Sequence, residues 1–170
     1  DSVTTIGERA FSYCASLKEF KGKFASDNGR CLIVDGVLNS FAGAELAWHA
    51  IPDSVTFLGE QAFSSCTGLT LAIIGNSITD VAYRTFYSCI SLNCVVISNN
   101  VKTIGYGVFY WCENLSYLYY GGTENEWKTV SIGPFNTELS EALPFYYSAT
   151  WPTEEGNYWH YDKEGSPVVY

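Results

Sequence analysis

The side chains with the most reactive chemistry in this sequence are six cysteines and two histidines. A cysteine beside a histidine can supply a thiolate nucleophile, clustered cysteines and histidines can hold zinc, and paired cysteines can cross-link a chain. Zinc needs its ligands grouped at short spacing, and Cys14, Cys31, Cys66, Cys89, Cys94, Cys112, His49 and His160 form no such group. A nucleophile-histidine device has only His49 and His160 to draw on as its base. The acids Glu124, Glu126, Glu138, Glu141, Glu154 and Glu155 are numerous enough for a glycosidase pair, but their spacing singles out no two of them, and they read as a solvated acidic surface. The sequence therefore names no catalytic residue, no metal ligand and no cofactor.

The cysteines carry a different message through their spacing. Cys66, Cys89 and Cys112 lie 23 residues apart, as do Phe63, Phe86 and Phe109, and Leu69, Leu92 and Leu115. A fourth copy of the phrase opens the chain with Val3, Ile6, Gly7, Ala10, Phe11, Cys14 and Leu17. Aligned on the leucine that begins each Leu-x-x-x-x-Ile segment, the units start at Leu17, Leu46, Leu69, Leu92 and Leu115, with steps of 29, 23, 23 and 23. The long step lacks the Ala-Phe-x-x-Cys phrase and holds Cys31 to Leu38, where Asp35-Gly36 flanked by aliphatic residues signals a hairpin with a type I′ turn. Each unit reads as a short strand from the leucine, an extended Val-Thr-x-Ile-Gly stretch, and a helical turn around Ala-Phe-x-x-Cys. Neither half can bury its apolar residues alone, so neighbouring units must stack their strands into a parallel sheet. Cysteines in one slot of stacked units have parallel Cβ vectors that do not converge, so Cys14, Cys66, Cys89 and Cys112 read as buried, reduced thiols. Cys31 and Cys94 stand outside that register, and their pairing is left open.

The phrase from Ile51 to Leu69, IPDSVTFLGEQAFSSCTGL, with its copies, together with YYGGTENEWKTVSI and EEGNYWHYDKEGSPVV, resembles the BspA-like leucine-rich-repeat family of bacterial surface proteins. The resemblance implies an α/β repeat fold, a right-handed solenoid of short parallel strands and short helical turns, here with a β-hairpin insert and the family's C-terminal cap. It also implies an extracellular or cell-surface location, roles in adhesion and protein binding, and no catalytic residues. We expect residues 1–120 to form the repeat array, with the insert around 31–38, and residues 121–170 to form the cap. The chain opens in the middle of a repeat, since Asp1-Ser2-Val3-Thr4 recurs as Asp53-Ser54-Val55-Thr56, and we read it as a piece of a longer protein.

Within the cap, Thr123-Glu124-Asn125-Glu126 reads as a capping box that places Trp127 and Val130 on one helical face against the last repeat. Ala142 to Tyr147 reads as a final strand in which Pro144, unable to donate a ladder hydrogen bond, ends the sheet. Asn157 to Tyr161 and Gly165 to Tyr170 read as a terminal hairpin, with His160 structural.

Binding belongs on the open face of the strands. Pleating sends strand positions one, four and six inward and positions three and five outward. Position four holds Phe20, His49, Ala72, Val95 and Leu118, so His49 reads as a partly buried histidine leaning into the space left by Ala72. Position three holds Glu19, Trp48, Leu71, Cys94 and Tyr117, and position five holds Lys21, Ala50, Ile73, Val96 and Tyr119. After the first unit this face is apolar and aromatic where the family often has serine or threonine. We expect it to be concave and partly open, with Trp48, Leu71, Ile73, Cys94, Val96, Tyr117 and Tyr119 as binding residues for a host extracellular or bacterial surface protein. The alternatives are a structural spacer that displays another domain, and a carbohydrate-binding module in which Trp48, Tyr117 and Tyr119 stack on sugar rings. Eighteen acids against nine bases give a formal charge of −9, the wrong sign for nucleic acid. No apolar run reaches the roughly 20 residues a spanning helix needs, so no membrane insertion is expected in this segment.

Overall fold

The computed structural model describes residues 2–26, 28–44, 47–150 and 152–170, with Trp48 placed by its backbone alone. The expected strand start at Leu46 lies outside the described residues.

The stacked units form a solenoid. Its first side is a parallel ladder of long strands, β3 (Trp48–Ala50), β5 (Leu71–Ile74), β7 (Cys94–Ile97) and β9 (Tyr117–Tyr120), in which Leu71, Cys94 and Tyr117 stand in one register. Alternation sends Ala72, Ile74, Val95, Ile97, Leu118 and Tyr120 into the core, as the period of two requires. The second side is a ladder of two-residue strands, β4 (Phe57–Leu58), β6 (Asp80–Val81) and β8 (Thr103–Ile104). Each gives one residue to the core (Leu58, Val81, Ile104) and turns the other outward.

The third side is built from the Ala-Phe-x-x-Cys phrase, and it consists of tight turns rather than continuous helix. Amides reach back three residues, as in Ala62 to Gly59, Cys66 to Phe63 and Leu69 to Cys66, while Gln61 and Ser65 take positive φ, as do Arg84 and Ser88 in the next unit. Those left-handed residues free alternate amides to point at the neighbouring unit. Gln61, Phe63 and Ser65 N–H groups donate to the carbonyls of Tyr83, Thr85 and Tyr87, and Arg84, Phe86 and Ser88 donate to Tyr106, Val108 and Tyr110. A continuous helix would have consumed these amides internally.

Phe63, Phe86 and Phe109 stack along the axis at centroid separations of 4.8 and 5.4 Å and are fully buried. The Cys89 and Cys112 thiols donate to the carbonyls of Phe63 and Phe86, each at 3.1 Å, and all six cysteines are free. Cys14 differs from the buried reading, being exposed.

The long unit between Leu17 and Leu46 contains the hairpin of β1 (Cys31–Val34) and β2 (Val37–Phe41), joined by Asp35 and Gly36 at φ 50° and 79°, the two positive values a type I′ turn needs. The hairpin is less of an insert than it looked. Strand β2 pairs in parallel with β4, Leu38 beside Leu58, so it is the unit's own short strand and β1 is the addition. Three residues later Phe41 joins the phenylalanine stack, 4.7 Å from Phe63. Gly43 then stands against Cys66, whose Sγ would lie 2.6 Å from a Cβ there, so glycine alone fits at this approach.

The first unit departs from the expected strand: the residues after Leu17 form none. The Phe20 N–H donates to the Gly29 carbonyl at 2.6 Å, because the chain doubles back through Gly22 and Gly29, both at positive φ. Phe20, Leu32 and Ala42 make a small second core with Ile6, Phe11 and Leu17 packed on it.

The cap imitates further units. Thr123 and Glu126 form the capping box at the start of α1 (Glu124–Trp127), and Trp127 packs 5.0 Å from the Tyr120 ring. Strand β10 (Ser131–Ile132) extends the short-strand ladder beside β8, and β11 (Leu143–Tyr147), after α2 (Thr137–Glu141), extends the long-strand ladder beside β9. Pro144 does not end that sheet. The terminal hairpin of β12 (Tyr158–Tyr161) and β13 (Pro167–Val169) adds to β11, but only at Tyr146 and Tyr147. Leu143 donates toward β9 and Tyr146 toward β12, so the missing N–H of Pro144 faces a stretch that β12 does not reach. On the third side, three oxygens stand where a next unit's carbonyls would be. Gly107 N–H donates to the Pro134 carbonyl, Phe109 N–H to Asn136 Oδ1 at 3.0 Å, and Trp111 N–H to Glu138 Oε1 at 2.8 Å.

Candidate interaction surface

The outward face of the long-strand sheet divides into two lanes. Position three runs along the stack through Leu71, Cys94 and Tyr117, and the register of β11 adds Leu143 beside Tyr117. Leu71 and Cys94 are half-buried, while Tyr117 and Leu143 are 40% and 45% exposed. The Trp48 backbone stands at the head of this lane, opposite Leu71, and its side chain lies outside what is described.

Position five runs through Ala50, Ile73, Val96 and Tyr119 to Phe145. The terminal hairpin folds over this lane. Trp159, 1% exposed, lies 5.6 Å from the Tyr119 ring and donates its indole N–H to the Tyr120 carbonyl at 2.8 Å. With Phe145 and Val96 it makes a third apolar cluster, against which Leu71, Ile73 and Tyr119 pack, leaving Val96 only 2% exposed. Beyond the roof opens a groove of about 420 Å³ between Ala50, Ile73 and the loops carrying Asp53, Asn76 and Asn99 on one side, and Tyr147, Trp159 and Tyr161 on the other. Leu143, Phe145, Trp159 and Tyr161 were not singled out from the sequence. The first two follow from carrying the lane register into the Ala142 to Tyr147 strand; Trp159 could be found only from the chain path that brings β12 across the sheet.

Reactive groups here are quiet. Burial pushes the Cys94 thiol up to about 12, and raises the Tyr119 phenol with help from Cys94 and Tyr117, so neither is ionised at neutral pH. Cys31 and His49 do meet, Sγ and Nε2 3.3 Å apart, but inside the core. Burial moves Cys31 up to about 11, and burial with the nearby Arg30 charge moves His49 down to about 4. The pair is a neutral thiol and a neutral imidazole, packed against the Phe41 ring at 4.4 Å, with no route to a substrate. The His49 ring thus leans on Phe41, at the end of β2. The His160 ring packs tilted against Tyr170 at 4.3 Å. Among the described residues no three His, Cys, Asp or Glu side chains cluster to hold a metal, and no helix is long and apolar enough to cross a membrane.

The family model for the BspA type leucine rich repeat region matches residues 1–26 and 38–137, in six copies. The chain belongs to this family. The gap between the matched stretches falls on β1 and its turn, the segment that the structure shows to be added to a unit rather than part of one. Of solved structures, a leucine-rich repeat protein from Eubacterium ventriosum superposes with a TM-score of 0.63 at 18% identity, over 86% of this chain and 41% of that one. A leucine rich cell surface protein from Faecalibacterium prausnitzii matches with a TM-score of 0.46 at 22% identity, over 76% of this chain and 48% of its own. The chain thus spans less than half the length of either. No curated protein matches it significantly. Leucine-rich-repeat solenoids of this kind serve as protein-interaction modules, and the fold is typically non-catalytic.

Proposed function

We propose that this chain is a non-catalytic binding and adhesion module of a secreted or surface-held bacterial protein, and that it holds a protein partner along the position-three lane. The observation that carries the reading is the run from half-buried Leu71 and Cys94 to exposed Tyr117 and Leu143, beside a lane that the chain itself has roofed. An apolar, aromatic strip left open on a repeat surface is the composition of an interaction site, and tyrosine is a common anchor in such sites. The extracellular or cell-surface location rests on the family alone.

One observation favours a carbohydrate as a second reading. The groove beside the roof joins the aromatic rings of Tyr147 and Tyr161 to the carboxylate and amides of Asp53, Asn76 and Asn99. Pull-down with extracellular-matrix proteins and a glycan array, each repeated with Leu71→Ser and Tyr117→Ser, separates the readings. Loss of protein capture in both variants supports the lane. Glycan binding that survives both variants and falls with Tyr161→Ala supports the groove, and binding to neither class favours a spacer.

A further inference from the structure

The third side of the solenoid carries a ridge of aromatic rings that its own architecture does not require. Tyr83 stacks on Tyr106 at 5.6 Å, Phe135 lies tilted against Tyr106 at 4.9 Å, and Tyr87 and Tyr110 each lie 5.4 Å from Trp111. The unit before them does without such rings. Where one unit has Tyr83, Arg84 and Tyr87, the preceding one has Glu60, Gln61 and Ser64, and Trp111 answers to Ser65 and Ser88. The phenylalanine stack beneath already fills the core, whereas Trp111 and Phe135 are 48% and 51% exposed.

In the middle of the ridge sits one cation. The Arg84 guanidinium lies over the rings of Tyr87, Tyr83 and Tyr106 at 4.8, 5.1 and 5.9 Å, its Nε is buried without a hydrogen-bond partner, and no carboxylate among the described residues pairs with it. Gly107 takes the Arg84 slot in the next unit. Gln61 and Arg84 adopt the same positive φ there, and a Cβ on Gly107 would stand in ordinary contact with the Arg84 side chain, 3.5 Å from its Cγ. The guanidinium is thus held by rings of its own unit and of the next, and has no counter-ion among the described residues of a chain of charge −9.

We propose that this ridge is a second binding surface, distinct from the sheet face, and that it takes a segment of a protein partner in which one or two carboxylates are framed by apolar residues. Tyrosine, tryptophan and arginine together are the anchor composition of protein interfaces, and a guanidinium fixed by aromatic faces has little rotamer freedom left to lose when a carboxylate docks. The overall negative charge selects against polyanions such as acidic glycans or nucleic acid, which a single cation cannot hold.

The test is a random peptide library panned on the whole chain, with enriched peptides resynthesised in acidic form and with Asn or Gln in place of each Asp or Glu. Titration calorimetry then measures both forms against the wild type, Arg84→Gln, Arg84→Lys and Trp111→Ser, each first checked for an unchanged far-ultraviolet spectrum. Enriched peptides should carry a carboxylate, Arg84→Gln should weaken them about tenfold or more, and the amide forms should lose as much with no further loss in the variant. Trp111→Ser should weaken both forms, and Leu71→Ser should weaken neither, which keeps the result independent of the sheet-face reading. A library that returns no acidic peptide, binding unchanged in Arg84→Gln and Arg84→Lys, or capture of polygalacturonate in preference to peptides would overturn the proposal.

Discussion

At the C-terminal end of the array, the last regular unit meets oxygens borrowed from individual cap side chains, whereas in the long unit between Leu17 and Leu46 an added antiparallel strand shields the short-strand ladder with backbone alone. In the cap, Asn136 Oδ1 and Glu138 Oε1 accept the amides of Phe109 and Trp111, and the Asn136 amide donates in turn to the carbonyls of Gly105 and Gly133. In the hairpin, β1 pairs with β2 through main-chain groups that any residue owns, and the conformational demand falls on two turn residues. A stack of units can therefore be closed by specific side chains on its turn side or by a change of strand direction on a ladder. The first concentrates the cost of failure on single residues; the second spreads it along a strand.

That contrast can be broken by substitution. The largest effect is expected at Trp159, which the cap lays over the sheet: Trp159→Ala should cost about 3–5 kcal/mol in urea unfolding, through lost burial and an orphaned Tyr120 carbonyl. Next comes acid sensitivity on the hairpin side. The His49 imidazole falls from 6.5 unfolded to about 4 folded, so the unfolded chain binds the extra proton between those values. Stability from His49 should be complete above about pH 6.5, decline as the pH drops toward 4, and level off below, a span of roughly 3 kcal/mol. Unfolding midpoints across that window should fall less steeply in His49→Val, which places the residue of the Val95 slot there; equal slopes would remove His49 as the cause.

Asn136→Ala should cost about 2 kcal/mol, because it strands a buried amide and removes two donors at once. Asn136→Asp, which keeps the acceptor but turns a carboxylate oxygen toward the Gly105 and Gly133 carbonyls, should cost at least as much, whereas hydrogen exchange at Phe109 N–H should accelerate in the alanine variant alone. The smallest change is expected at the hairpin turn, where Gly36→Ala forces a side chain into positive φ and toward Thr56, for about 1 kcal/mol by thermal melting. A hairpin variant more damaging than Asn136→Ala would reverse the comparison.

How far the sequence could be read follows from where the period holds. The 23-residue spacing placed Leu71, Cys94 and Tyr117 in one register, and the ladder pairs them so. Asp35-Gly36 marked its turn, and the capping box at Thr123 was legible because both partners lie within four residues. The first unit misled, since its phrase is intact yet its strand is lost to a contact between Phe20 and Gly29 that depends on the chain doubling back. Pro144 misled for a related reason. A missing donor marks an edge only where a neighbour would reach, and how far β12 extends along β11 is a property of the packed hairpin.

By itself, then, the sequence determined the stacking, the inward and outward sides of each strand and the buried quiet of most cysteines, because all of these repeat with the local period. Only the tertiary structure decided that Phe41 and Gly43 fill the slots of a missing phrase, that cap side chains stand in for carbonyls, and that Trp159 closes one lane while its neighbour stays open. Those contacts join residues far apart in the chain, and no spacing rule relates them; what brings them together is the requirement that exposed amides and apolar faces at the ends of a stack find partners.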